Sequence, residues 1–282
     1  VARDLLRGYT VIDGSVRAGK EVPNKMKRTM IFTYGVACYL VFLATFLYAI
    51  GFIGNILVPR SMDSIPAASS GWALLINAGL LSGFALQHSI MARGWFKRAW
   101  TRIIPEAAER STYVLMTCVM LAAMFAFWQP IGGVIWDVEN TIGRGMMYAM
   151  YAAGWMLVLV ATFQINHFDL FGLRQVWLEL MGRPYTHVPF RRPFLYRFVR
   201  HPLYVGWFLV FWSAPTMTVA HLFFAVMTTS YILVAIQFEE RDLVKLHGAK
   251  YQKYREEVPM LVPFTGKTTQ PSIPAGAVEE TA

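Results

Sequence analysis

Four stretches of this chain, residues 29–58, 72–91, 111–128 and 144–166, are each apolar over about the 20 residues that a helix needs to cross the hydrocarbon core of a bilayer. Such a chain has few ways to fold. Hydrocarbon offers no partner for backbone N–H and C=O groups, so each stretch must satisfy them internally, as a helix. A fifth apolar region, 202–238, is too long for one straight crossing and is interrupted by Ser213-Ala214-Pro215-Thr216, a turn sequence. It predicts a helix–turn–helix hairpin whose first arm, 201–212, is short for a full crossing. The expected fold class is all-α: a polytopic membrane helix bundle of four full spans plus a C-terminal hairpin, five to six membrane helices in all.

Composition agrees. Of the residues, 56% are hydrophobic and 15% charged, against about a quarter charged in soluble domains. The 9 Trp, 13 Tyr and 20 Phe fit interfacial belts and packed spans. A net charge of +9 would point to nucleic acid in a soluble chain, but here the basic residues cluster in alternate loops. Lys25, Lys27 and Arg28 precede the first span; Arg93, Lys97, Arg98, Arg102 and Arg110 follow the second; Arg174, Arg183, Arg191, Arg192, Arg197 and Arg200 follow the fourth. The intervening loops hold little more than Arg60 and Asp63, then Asp137, Glu139 and Arg144. By the positive-inside rule both termini are expected to be cytoplasmic, in a bacterial inner membrane. Cys38 and Cys118 fall inside apolar runs and read as small buried hydrophobes, with no metal-binding or disulfide spacing. No internal repeat of the transporter kind is present.

Residues 1–25 are polar and are expected to be an added or upstream segment, since Met26-Lys27-Arg28 before an apolar run looks like a natural start. Residues 26–264 form the single membrane domain, and 265–282 are expected to be a flexible tail. Between hairpin and tail, Leu243, Leu246, Tyr251 and Tyr254 predict a short amphipathic helix on the cytoplasmic surface, and residues 258–264 an extended lid or anchor.

This topology gathers polar residues at one depth. The second and fourth spans run inward and end in Gln87-His88 and in Gln164-Ile165-Asn166-His167-Phe168-Asp169; the hairpin begins at His201 and ends at Glu239-Glu240 on the same side. Ionisable groups near the membrane are costly unless paired or solvated, which makes them functional candidates. His201 is an N-cap candidate and Pro202 suits the first helical position. A helix starting there aims free N–H groups and a positive dipole end at its approach, a place for an anion. The acidic pair returns to that start, and acids at a helix C-terminus oppose the dipole, so a cationic or zwitterionic ligand between the two is expected.

The pattern Tyr196-x-x-x-Arg200-His201-Pro202-x-Tyr204-x-Gly206, then Glu239-Glu240-x-x-Leu243, then Gly248-x-x-Tyr251-x-x-Tyr254-x-x-x-Val258-Pro259 resembles the isoprenylcysteine carboxyl methyltransferase superfamily of integral membrane enzymes. The match covers roughly the last third of the chain. Upstream, Gln87-His88-Ser89 and the run from Asn166-His167-Phe168-Asp169 to Gln175 resemble instead the methanethiol S-methyltransferase branch. Where the superfamily carries Gly-x-Tyr before Arg-His-Pro, this chain has Phe194-Leu195-Tyr196.

The resemblance implies a methyltransferase dependent on S-adenosylmethionine, releasing S-adenosylhomocysteine and making dimethyl sulfide from methanethiol. The cofactor residues it implies are Tyr196, Arg200, His201, Pro202, Tyr204, Gly206, Glu239 and Glu240. The thiolate is the nucleophile in such chemistry, and a neutral imidazole is the natural base for a thiol. His88 and His167 are the candidates, with Asp169 to orient a histidine or to act in its place. The partners expected are a small apolar thiol and membrane lipid, without nucleic acid or metal. Two other readings stay open: methylation of a prenylcysteine carboxylate or a phospholipid amine, and a non-enzymatic haem-binding or electron-transfer protein using His88, His167 and His201. His187, His221 and His247 are read as structural.

Overall fold

The computed structural model describes residues 9–12, 15–18, 24–65, 70–263 and 265. Most of segment 1–25 and nearly all of tail 265–282 therefore lie outside the described residues. Two short paired strands, β1 (Tyr9–Ile12) and β2 (Ser15–Ala18), precede the helices.

Five helices are long and apolar enough to cross a membrane: α1 (Lys25–Gly54), α2 (Ser70–Met91), α4 (Glu109–Phe127), α5 (Thr141–Ile165) and α9 (Val219–His247). Shorter helices lie between them, α3 (Gly94–Trp100), α6 (His167–Leu170), α7 (Leu173–Leu180) and α8 (Pro202–Trp212), and α10 (Ala249–Glu257) follows the last. The bundle is all-α and polytopic, and the chain is an integral membrane protein. Each long helix begins or ends where local chemistry allows. Asn24 caps α1 by accepting from Lys27 N (2.9 Å), Asn140 caps α5 through Gly143 N (3.1 Å), and Thr218 caps α9 through His221 N (3.1 Å). Such caps satisfy N–H groups that the helix itself leaves unpaired, for about 1 kcal/mol each. Leu40, Leu47 and Leu75 are exposed on outer faces, as surfaces toward lipid require.

With 11 residues at 1.5 Å rise, α8 is about 16 Å long, half the thickness of the hydrocarbon core. It lies against α5, where two glycines face each other. A Cβ on Gly206 would come within 2.9 Å of Gly154 O, and one on Gly154 within 2.9 Å of Gly206 O. The turn after α8 carries β4 (Thr216–Thr218), paired antiparallel with β3 (Val134–Asp137), an element the hydropathy pattern did not announce. The main core holds Phe52, Met62, Trp128, Phe224 and Ile236, all nearly inaccessible.

Two expectations need correction. The acidic pair Glu239-Glu240 is not at a helix end: α9 continues to His247. Leu243 and Leu246 belong to α9, whereas Tyr251 and Tyr254 are buried on α10. The break comes at Gly248, at φ +57, a conformation glycine tolerates best.

Candidate active site at the basic face

The start of α8 and the middle of α9 meet through charge. Glu240 Oε1 accepts from Arg200 Nε (2.6 Å) and pairs with His201 Nε2 (3.1 Å), while its Oε2 takes Arg255 Nε (3.0 Å). The side chains of Arg200, His201 and Glu240 are at most 10% exposed. A carboxylate so buried needs its charge compensated, and the two guanidiniums do that. Pro202 occupies the first turn of α8, but the His201 side chain makes no cap bond; it turns to Glu240 instead. The backbone N–H groups of Arg200 and His201 donate to Pro259 O (2.9 Å) and Met260 O (3.2 Å), so the segment after α10 lies across the start of α8 as a strap. Arg200 Nη1 also holds Arg255 O and Val258 O.

One turn along α8, Tyr204 donates to Glu239 Oε2 (2.8 Å) and its ring stacks on His201. Glu239 is 44% exposed, and its second oxygen takes no hydrogen bond among the described residues. Arg255 is likewise 44% exposed and, among the described residues, spends only Nε on Glu240. The cluster thus presents both an uncommitted carboxylate oxygen and uncommitted guanidinium N–H groups. This donor set fits a ligand carrying a positive charge and a carboxylate. Tyr196 stands beside the cluster: its carbonyl accepts from Tyr254 OH (2.6 Å), and its ring packs with Phe190, Tyr251 and Tyr254. Gly206 is at the α5 contact, where it allows close approach.

His88, on α2, is bonded from α4: the Tyr113 hydroxyl lies 2.9 Å from Nε2 and 3.0 Å from Nδ1, and Thr117 Oγ1 lies 3.4 Å from Nδ1. The Arg110 guanidinium sits 5.0 Å over the Tyr113 ring and donates to Leu170 O (2.7 Å). The next residue, Ser89, bonds Tyr231 of α9 (3.1 Å). His88 is thereby tied, through its neighbour Ser89 and Tyr231, to the helix that carries Glu239 and Glu240.

His167 follows the break at Asn166. It bonds Tyr39 OH through Nε2 and Thr162 Oγ1 through Nδ1, both at 2.9 Å, and stacks on Phe163. Burial holds its pKa below the ordinary histidine value, which keeps the imidazole neutral near pH 7. Asp169 does not orient it. Its carboxylate takes Arg174 Nη1 (2.7 Å) and Tyr185 OH (3.3 Å), tying α6 to α7 and the loop beyond. Among the described residues no hydrogen bond, ion pair or ring contact joins His167 to the His201 cluster.

Sequence reasoning missed Arg255, Tyr113, Thr117 and Tyr231. Arg255 occupies an open position between Tyr254 and Val258 of the C-terminal motif, and the other three sit inside apolar runs, where a hydroxyl is the sole signal.

At the opposite end of the bundle, His221 pairs with Asp63 (3.1 Å), which also accepts from Thr218 and Asn55. Cavities of about 440 and 330 Å³ open there. Cavity size therefore does not locate the chemistry; the charge cluster and the histidines at the basic face do.

Five apolar helices and a buried charge network at one face, among the described residues, define a polytopic helical membrane protein. The chain is 58% identical to the methanethiol S-methyltransferase of Crocosphaera subtropica, over 86% of this chain and 95% of that protein. It is 51% identical to that of Mycobacterium tuberculosis, over 86% of this chain and the whole of the relative. It therefore belongs to the methanethiol S-methyltransferase family, and is a methyltransferase. A weaker likeness, 28% over 64% of this chain and 65% of the relative, links it to Nurim of Xenopus laevis. No family model matches, and no solved structure matches.

Proposed function

We propose that the chain methylates methanethiol to dimethyl sulfide with S-adenosylmethionine, at the cytoplasmic side of a bacterial inner membrane. The observation that carries this reading is the network of Arg200, His201, Glu240 and Arg255, with Glu239 beside it, in a chain of this family. We take the basic face as cytoplasmic because the loops that end there hold most of the chain's lysines and arginines.

When bound, S-adenosylmethionine supplies an electrophilic methyl group on a sulfonium. The chain's own work is to bind, orient and deprotonate. Arg255 is available to a carboxylate and Glu239 to a cation or hydroxyl groups; Glu240 fixes both arginines and His201 so that these groups are held in place. His88 is the base, since its partner Tyr113 carries a guanidinium over its ring and its neighbour Ser89 bonds Tyr231 on the helix that bears Glu239. His167 is boxed by aromatic rings and serves the packing of α1, α5 and α6. The apolar bundle keeps water from the thiolate as it forms.

The test is to incubate membranes carrying the protein with methyl-labelled S-adenosylmethionine and methanethiol. Volatile labelled dimethyl sulfide is expected. Label in membrane lipid, with none in the headspace, would turn the reading to a lipid-borne acceptor.

A further inference from the structure

We propose that Tyr113 is a catalytic proton relay, its phenol taking the thiol's proton while passing its own to His88. This rests on the thiol-methylating reading above.

The hydrogen bonds around His88 fix its tautomer. Thr117 donates its one hydroxyl hydrogen to Tyr113 O (3.0 Å), so toward His88 Nδ1 it can only accept. That leaves Nδ1 to carry the ring proton and Nε2 as the basic nitrogen. The Tyr113 hydroxyl lies 2.9 Å from Nε2 and 3.0 Å from Nδ1, and so reaches that lone pair. A thiol cannot reach Nε2 while that bond stands, but the phenol oxygen keeps lone pairs of its own. The Arg110 guanidinium, 5.0 Å over the Tyr113 ring, favours negative charge as it develops on the phenol.

The step balances. The S–H bond breaks and its proton joins the Tyr113 oxygen; the Tyr113 O–H breaks and its proton joins Nε2. A thiolate, a neutral phenol and an imidazolium result. No oxidant or further reactant is needed.

The molecule contains its own control. Thr162 donates to Leu159 O (2.7 Å) and accepts from His167 Nδ1, and Tyr39 covers Nε2. The pattern is the same, but the other contacts of Tyr39 are with Phe42, Phe168 and the His167 ring, and no charged side chain touches it among the described residues.

The experiment compares Tyr113→Phe with Tyr39→Phe in the full chain. Three readouts are needed: S-adenosylhomocysteine binding by calorimetry, ¹⁵N-histidine spectra, and rates with methanethiol and with the more acidic hydrogen sulfide, which is largely hydrosulfide just above neutral pH. Tyr113→Phe is expected to bind normally, to shift the Nε2 signal of His88, and to lose about 10² in kcat with methanethiol near neutral pH, the lower end for general-base help. The loss should shrink as pH rises and with hydrosulfide, which arrives ionised. Tyr39→Phe should keep its rate. If Tyr113→Phe keeps its rate while His88→Ala does not, the relay is wrong and the thiol reaches His88 directly. If the wild type methylates no thiol, the underlying reading fails and the relay with it. Should Tyr113→Phe fail to fold, Thr117→Val, which releases the tautomer, is expected to lose about tenfold in kcat alone; a wild-type rate there overturns the relay.

Discussion

His88 and His167 are held alike, each between a threonine that accepts from Nδ1 and a tyrosine hydroxyl at Nε2, yet their surroundings diverge. Around His167 the neighbours are Tyr39, Phe42, Phe163, Phe168 and Phe171, a wall of rings that joins three helices. Around His88 the tyrosine is shared with Arg110, and the neighbouring Ser89 bonds Tyr231 on the helix that carries Glu239. The same local bonds thus sit in a packing wall in one place and, in the proposed mechanism, hold a base in the other. Hydrogen-bond geometry sets what a histidine can do; the charges within reach decide whether that capacity is used.

The largest expected effect comes from removing those charges. Glu240→Ala leaves Arg200, 10% exposed, without its carboxylate. Breaking a buried pair from one side typically costs about 3–5 kcal/mol. Melting in detergent should fall accordingly, and S-adenosylhomocysteine binding should be lost, with the His167 surroundings unchanged by spectroscopy. Retained binding would move the ligand away from this cluster.

A smaller effect is expected at the far end, where another buried histidine meets a carboxylate but no guanidinium joins them. Burial raises the Asp63 carboxyl, yet the His221 bond and charge, with Thr218 and Asn55, outweigh it and hold the pKa below the usual aspartate value. With a depressed folded pKa, the stabilisation is present above the unfolded pKa, about 4, and is lost as pH falls through the folded one. Asp63→Asn should lower stability near pH 7 by about 1.5–3 kcal/mol, the range for hydrogen bonds to a charged group. It should also flatten the acid side of the melting profile. Methylation by the folded variant should be unchanged, since this pair lies outside the proposed machinery.

Much of this was legible in the residues. Apolar run length fixed the number of crossings, and Pro202 marked the start of α8 to the residue. The pairing of His201 with Glu240 followed from treating 201–240 as a hairpin. The extent of α9 did not follow, because charged residues on a helix leaving the membrane look like a helix end when hydropathy is the guide. The partner of Asp169 was hidden for a related reason. Sequence proximity to His167 implies a partner, whereas the side chain leans toward Arg174, five residues on. The two His–Thr–Tyr arrangements were out of reach, since each joins helices distant in sequence. Thr117 and Tyr113 read as ordinary members of a span.

The most direct test is the methanethiol methylation rate of His88→Ala and His167→Ala at pH 7, each normalised to S-adenosylhomocysteine binding. His88→Ala is expected to lose about 10² in kcat, a loss that shrinks toward the thiol's own pKa, with cofactor binding intact. His167→Ala, where folded, is expected to turn over at close to the wild-type rate. A full rate in His88→Ala, or a loss confined to His167→Ala, would contradict His88 as the base.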